Sequence, residues 1–186
     1  MLRLCIIGIG NPGPRYEATR HNVGFAVVDA LAARHGGEFR DRDDIASCSV
    51  RLRDAKVLLI KPLTYVNLTG KIVPRLLGEI DDPKAGLMVV LDEMDLPLGR
   101  LRLRTRGRSG GHRGLESVIS ATGSVFPRLR VGIGRGEAAK AFVLGKFAPE
   151  EREAAERAVA RAADALECWI ENGIEKAMND FNRAEA

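Results

Sequence analysis

Three short apolar runs, at residues 2–7, 56–60 and 86–91, each break off into a polar or a glycine- and proline-rich segment. Runs of that length bounded by turn formers read as strands buried on both faces, the kind from which parallel sheets are assembled. The first run leads through Gly8-Ile9-Gly10-Asn11-Pro12-Gly13-Pro14 into a helical apolar pattern over residues 22–35. Strand, loop and helix in that order predict an α/β fold. Pro149-Glu150-Glu151 then opens a further helix with acids in its first turn, and Val159, Ala162, Ala163, Leu166, Trp169 and Ile170 give it one apolar face. This C-terminal amphipathic helix is expected to pack on the core. In an open α/β sheet ligands gather beyond the C-terminal ends of the strands, so Asn11, His21, Asn67 and Asp92, which lie in or beside those loops, are expected to converge on one cleft.

A chain of 186 residues is long enough for one core, and no repeat, linker or low-complexity stretch divides it, so a single domain over residues 1–186 is expected. No stretch approaches the roughly 18 apolar residues of a membrane span. The first residues, Met1-Leu2-Arg3-Leu4-Cys5, run straight into the first strand without the features of a signal or transit peptide, which points to the cytoplasm. Cys5, Cys48 and Cys168 are odd in number and widely spaced, with no pairing at metal-ligand distance, and read as reduced structural thiols. A net charge of +4 leans toward a polyanionic partner without identifying one.

Gly8-Ile9-Gly10-Asn11-Pro12-Gly13 fits the spacing of a dinucleotide-binding turn. Two features oppose that reading. Pro12 and Pro14 remove two backbone N–H donors, and the following helix begins about eight residues too late to present its N-terminus to a pyrophosphate. An oxidoreductase role is therefore set aside.

Of three histidines, His21 stands in a polar loop immediately before a helix, where it is either a surface residue or a general base. A base needs a carboxylate to fix its tautomer and steady the imidazolium, and Asp92, at the end of an apolar strand, is suited to that task. Glu93 and Asp95 compete for it. No Gly-x-Ser-x-Gly elbow, cysteine signature or metal-ligand cluster is present in the sequence, which leaves direct attack by water. Asn11 and Asn67 each supply a neutral donor and acceptor, suited to a peptide amide or a developing oxyanion, or else to a turn.

Residues 99–108 alternate arginine with apolar or small residues, and Arg128 and Arg130 recur ahead of another strand-like segment. A strand with one basic face serves either a phosphate backbone or the protection of an exposed sheet edge. The loop over residues 107–114 holds four glycines with Ser109, His112 and Arg113, and reads as a flexible gate or an RNA cradle.

Taken together, Thr19-Arg20-His21-Asn22-Val23-Gly24, Lys61-Pro62-Leu63-Thr64-Tyr65-Val66-Asn67, Asp92-Glu93-Met94-Asp95-Leu96-Pro97, Gly110-Gly111-His112 and Arg130-Val131-Gly132-Ile133-Gly134, with the opening glycine segment, resemble the bacterial peptidyl-tRNA hydrolases over nearly the whole chain. The resemblance implies a single domain with a mixed twisted sheet flanked by helices. It implies an esterase that frees tRNA from peptidyl-tRNA with no metal and no cofactor, His21 accepting the proton and Asp92 stabilising its basic form. Asn11 would distinguish peptidyl-tRNA from free aminoacyl-tRNA. Tyr16, Tyr65, Val66 and Asn67 would meet the tRNA 3′ end and the peptide, and Arg104 and Arg130 would clamp the terminal phosphate. The implied partner is peptidyl-tRNA, with no membrane, and the implied state is a monomer.

Two positions depart from the commoner pattern. Val66 stands where methionine is usual, and Arg113 follows Gly-Gly-His where asparagine is usual. An arginine accepts no hydrogen bond, so Arg113 is expected to meet the tRNA backbone and, if near His21, to keep it neutral. The alternative from a different class is a relative that holds RNA without cutting it.

Overall fold

The computed structural model describes residues 1–183. Strand β1 (Leu2–Gly8) leads to helix α1 (Val23–Arg34), and β2 (Arg40–Arg42), β3 (Ile45–Leu52) and β4 (Ala55–Pro62) follow as two tight hairpins. Helix α2 (Val73–Leu77), β5 (Leu87–Glu93), β6 (Leu101–Arg106), α3 (Arg113–Thr122) and β7 (Val125–Gly132) complete the sheet and one helical layer. Helices α4 (Ala139–Leu144), α5 (Arg152–Asn172) and α6 (Ile174–Phe181) close the chain.

The seven strands form one sheet in the order β2-β3-β4-β1-β5-β7-β6. Its centre, β4-β1-β5-β7, is parallel, and antiparallel strands flank it on both sides. The mixed sheet expected from the resemblance is present, with four strands more than the three apolar runs indicate.

Alternation along the central strands feeds two cores. Ile6, Met88 and Val90 pack toward α1 and α5 in one cluster, while Cys5, Ile7, Val89 and Leu91 belong to a second cluster with α2 and α3 residues such as Val73, Leu76, Leu115 and Val118. Burial on both faces is why these strands read as unbroken apolar runs.

The opening glycines serve this packing. A Cβ on Gly8 would lie 2.3 Å from the Gly24 carbonyl oxygen, and one on Gly24 would lie 2.5 Å from the Ile9 carbonyl oxygen. The end of β1 and the first turn of α1 thus touch backbone to backbone. The spacing that imitates a dinucleotide turn is a packing requirement of this corner.

Strand β6 forms one edge. Leu101 and Leu103 face the α5–α6 core, and Arg102 and Arg104 project from the opposite face into solvent. Asn182 covers part of the free backbone, accepting from the Leu103 N–H at 2.6 Å and donating to its carbonyl at 3.1 Å. The apolar face predicted for α5 is buried through Ala162, Ala163, Leu166, Trp169 and Ile170, with Val159 half-buried.

Candidate functional site

The C-terminal ends of β1 and β5 meet two loops that carry histidines. His21 sits in a single 3-10 turn over Arg20–Asn22, just before α1. Its Nδ1 lies 2.7 Å from Asp92 Oδ1. Ionised Asp92 can only accept, so Nδ1 carries the proton and the Nε2 lone pair is left for a reacting proton. Between the competing acids the fold decides by pairing: Glu93 binds Arg130, and exposed Asp95 binds Arg135.

The turn is fastened from behind. The Arg20 guanidinium donates to the Lys146 carbonyl at 2.6 Å and to Glu151 at 2.6 Å, and it lies 4.3 Å from the centre of the Phe142 ring. These contacts tie the segment around α4 to the residue that precedes the histidine.

A second histidine reaches the same carboxylate. His112 Nε2 lies 2.9 Å from Asp92 Oδ1, and its Nδ1 accepts the Leu115 N–H at 3.2 Å as the N-cap of α3. A nitrogen that accepts from a backbone N–H bears no proton, so the neutral ring donates to Asp92 through Nε2. The two rings stand 5.1 Å apart. His112 was legible only as part of the glycine-rich loop, since nothing local in the sequence points from residue 112 to residue 92.

Asp92 is almost fully enclosed, with its side chain 3% exposed against 15% for His21. Burial alone would raise its carboxyl, but the field and hydrogen bond of His112, followed by those of His21, hold it well below the usual carboxylate range. His21, Asp92 and His112 are also spaced to suit a metal ion. The donor chemistry runs the other way, because ligation at His112 Nε2 would need the proton moved to Nδ1, against the Leu115 N–H. No cysteine is prepared as a nucleophile either: burial, with the Glu79 charge, pushes the Cys5 thiol up to about 12.

Asn11, in the loop after β1, is held against the turn that carries His21. The Asn22 carboxamide clasps its backbone, accepting from the Asn11 N–H at 2.8 Å and donating to the Asn11 carbonyl at 2.9 Å. The Val66 N–H donates to Asn11 Oδ1 at 3.0 Å, which turns Nδ2 outward as a free donor. Val66 itself is buried, so it meets the Asn11 side chain through its backbone N–H. Tyr65 is 60% exposed, Asn67 is exposed, and Tyr16 is half-buried in the Gly/Pro loop.

The arginines separate into different roles. Arg104 is exposed and has no hydrogen bond or ion pair among the described residues, and Arg113, the first residue of α3, is exposed in the same way. Arg130 is partly covered; it pairs with Glu93 and donates to the carbonyls of Arg108 and Ser109 at 2.8 and 3.2 Å. Arg128 is no part of a phosphate surface. It is 1% exposed and donates to the carbonyls of Phe126, Gly107 and Ser124. Burial, and then the Arg130 charge, pull its guanidinium down to about 10. The two arginines tie down the glycine-rich segment that leads into His112, where the sequence suggested a loose loop.

The family pattern described as peptidyl-tRNA hydrolase matches residues 5–186. The chain is 44% identical to the peptidyl-tRNA hydrolase of Syntrophomonas wolfei over 180 residues, covering 95% of this chain and 98% of that protein. It is 47% identical to that of Desulforudis audaxviator over 179 residues, covering 95% and 92%. The crystal structure of peptidyl-tRNA hydrolase from Acinetobacter baumannii superposes with a TM-score of 0.90 at 32% identity, covering 98% of this chain and 95% of that one. A catalytic-type His–Asp pair on this sheet, a full-length family match and relatives at this identity lead to one conclusion: the chain belongs to the peptidyl-tRNA hydrolase family.

Proposed function

We propose that the protein hydrolyses the ester joining a peptide to the 3′-terminal ribose of tRNA, with His21 as general base and Asp92 as its partner. The observation that carries this reading is the 2.7 Å contact from His21 Nδ1 to buried Asp92, which leaves Nε2 as the open basic nitrogen. A water held at Nε2 gives up its proton there, and its oxygen attacks the ester carbonyl. The tetrahedral oxyanion then collapses, the ribose oxygen leaves with the proton carried by His21, and free tRNA and a peptide carboxylate result. Asp92 remains ionised throughout and steadies the imidazolium.

Asn11 Nδ2 is the group we assign to the peptide carbonyl of a blocked substrate, because its oxygen is already committed to Val66. Tyr16, Tyr65 and Asn67 are the residues we assign to the tRNA 3′ end and peptide, and Arg104 and Arg113, both exposed, are assigned to phosphate. Arg130, occupied by Glu93 and the loop carbonyls, joins a phosphate clamp only by yielding one of those bonds. The chemistry needs no metal or redox cofactor. The substrate is a product of translation, which supports action in the cytoplasm, and a monomer is the state we expect. Among the described residues no helix is long and apolar enough to cross a membrane.

The test is release of tRNA from an N-blocked aminoacyl-tRNA, with the unblocked form as control. Cleavage of the blocked substrate alone is expected. Tight tRNA binding with no cleavage of either would establish the RNA-binding alternative in its place.

A further inference from the structure

We infer that His112 is a positioning residue that sets the basicity of His21 through the carboxylate oxygen the two rings share. The inference rests on the reading of His21 as the base.

Toward Asp92 the geometry makes His112 a donor. Its Nδ1 is committed to accepting the Leu115 N–H, so the ring's proton stands on Nε2 and is directed at Asp92 Oδ1, 2.9 Å away. His21 donates to that same oxygen at 2.7 Å. An oxygen that already accepts one hydrogen bond has less charge to offer a second donor, so Asp92 stabilises the His21 imidazolium less than a carboxylate devoted to it would. His112 also fixes the direction of the carboxylate, since the cap that orients its ring belongs to the rigid start of α3.

The neighbouring charges leave this cluster to itself. Glu93, next on β5, is taken by Arg130 of β7, and Arg20, next in the turn, is taken by Glu151. Arg113 of α3 and Lys140 of α4 are exposed, and Asp29 of α1 pairs with Lys61. Asp92 has the two imidazoles as its only ion-pairing partners among the described residues.

Two substitutions divide the functions of the ring. In His112→Asn the carboxamide oxygen keeps the cap on Leu115 but nothing reaches Asp92. In His112→Gln the longer amide keeps a donor at Asp92 and leaves Leu115 uncapped. The acidic limb of the pH profile of kcat is expected to move up by about half to one pH unit in His112→Asn, a gain of up to about tenfold in proton affinity. His112→Gln is expected to keep the wild-type limb and to melt at a lower temperature. If both variants keep the limb, or if only His112→Gln moves it, His112 is a cap alone and the inference is overturned.

A measurement on the unaltered protein stands beside this. Nitrogen NMR of the imidazoles, without tRNA, should find His112 Nδ1 bare and Nε2 protonated at neutral pH, and a protonated Nδ1 would overturn the inference. A His21→Ala variant that cleaves at the wild-type rate would instead remove the base assignment, leaving the tautomer result standing.

Discussion

At the scale of single residues the site is ordered by backbone groups that can only donate. The Leu115 N–H dictates which nitrogen of His112 is protonated, and the Val66 N–H dictates which end of the Asn11 carboxamide faces the cleft. Asn22 does the same for the Asn11 backbone with two bonds of 2.8 and 2.9 Å in a buried setting. Asn22→Ala should therefore lower stability by roughly 1–3 kcal/mol, the usual cost of stranding buried polar groups, which denaturant unfolding would read. It should also slow single-turnover cleavage while leaving tRNA affinity unchanged. His21, Asp92 and Asn11 were singled out in the sequence because a histidine, an acid and an amide at strand ends suit hydrolysis, and the fold sets His21 on Asp92 and Asn11 beside the turn of His21. The clasp by Asn22 and the bond from His112 were not, because each joins residues that only the fold brings together. The choice of Asp92 over Glu93 and Asp95 became clear once Arg130 and Arg135 were seen to occupy those two acids.

At the scale of elements, β6 and β7 show why a row of arginines is an ambiguous signal. Alternation exposes Arg102 and Arg104 on one face of the edge strand, whereas Arg128, in register with Arg104 on β7, is buried against three backbone carbonyls. Arg104→Ala should leave the melting temperature unchanged, weaken tRNA binding and reduce the slope of log affinity against log salt by about 0.7–0.9 for the phosphate lost. Arg128→Ala should do the reverse, unfolding at a lower denaturant concentration by roughly 1–3 kcal/mol or more, with the salt slope retained. The same physics explains the strands that escaped notice. The β2–β3 and β3–β4 turns place Asp43 and Arg53 at φ 55 and 46, so they lack the glycine that advertises a tight hairpin. Strand β3 alternates buried and open positions with serines and arginine among its apolar residues, which gives no continuous run.

At the scale of the whole molecule, one mixed sheet gathers residues 11, 21, 92 and 112 at the C-terminal ends of its parallel strands. The approach of residues 11, 21 and 92 was legible from the strand–loop junctions, because the rule depends on strand direction and not on strand count; residue 112 was outside that expectation, and no hydrogen bond joins Asn67 to the group among the described residues. The folded site also couples to stability. Asp92 has its carboxyl held below the ordinary value near 3.9, so the stability it contributes is complete above that value and lost as pH falls through the folded one. The difference in melting temperature between wild type and Asp92→Asn should therefore be largest near neutral pH and shrink toward pH 3. The central claim is that His21, oriented by Asp92, takes the proton from the attacking water. Single-turnover release of tRNA from N-blocked aminoacyl-tRNA by His21→Ala, with tRNA binding measured in parallel, tests it most directly. A loss of about two to four orders of magnitude in rate at unchanged affinity is predicted, and a His21→Ala rate within a few fold of wild type would contradict the account.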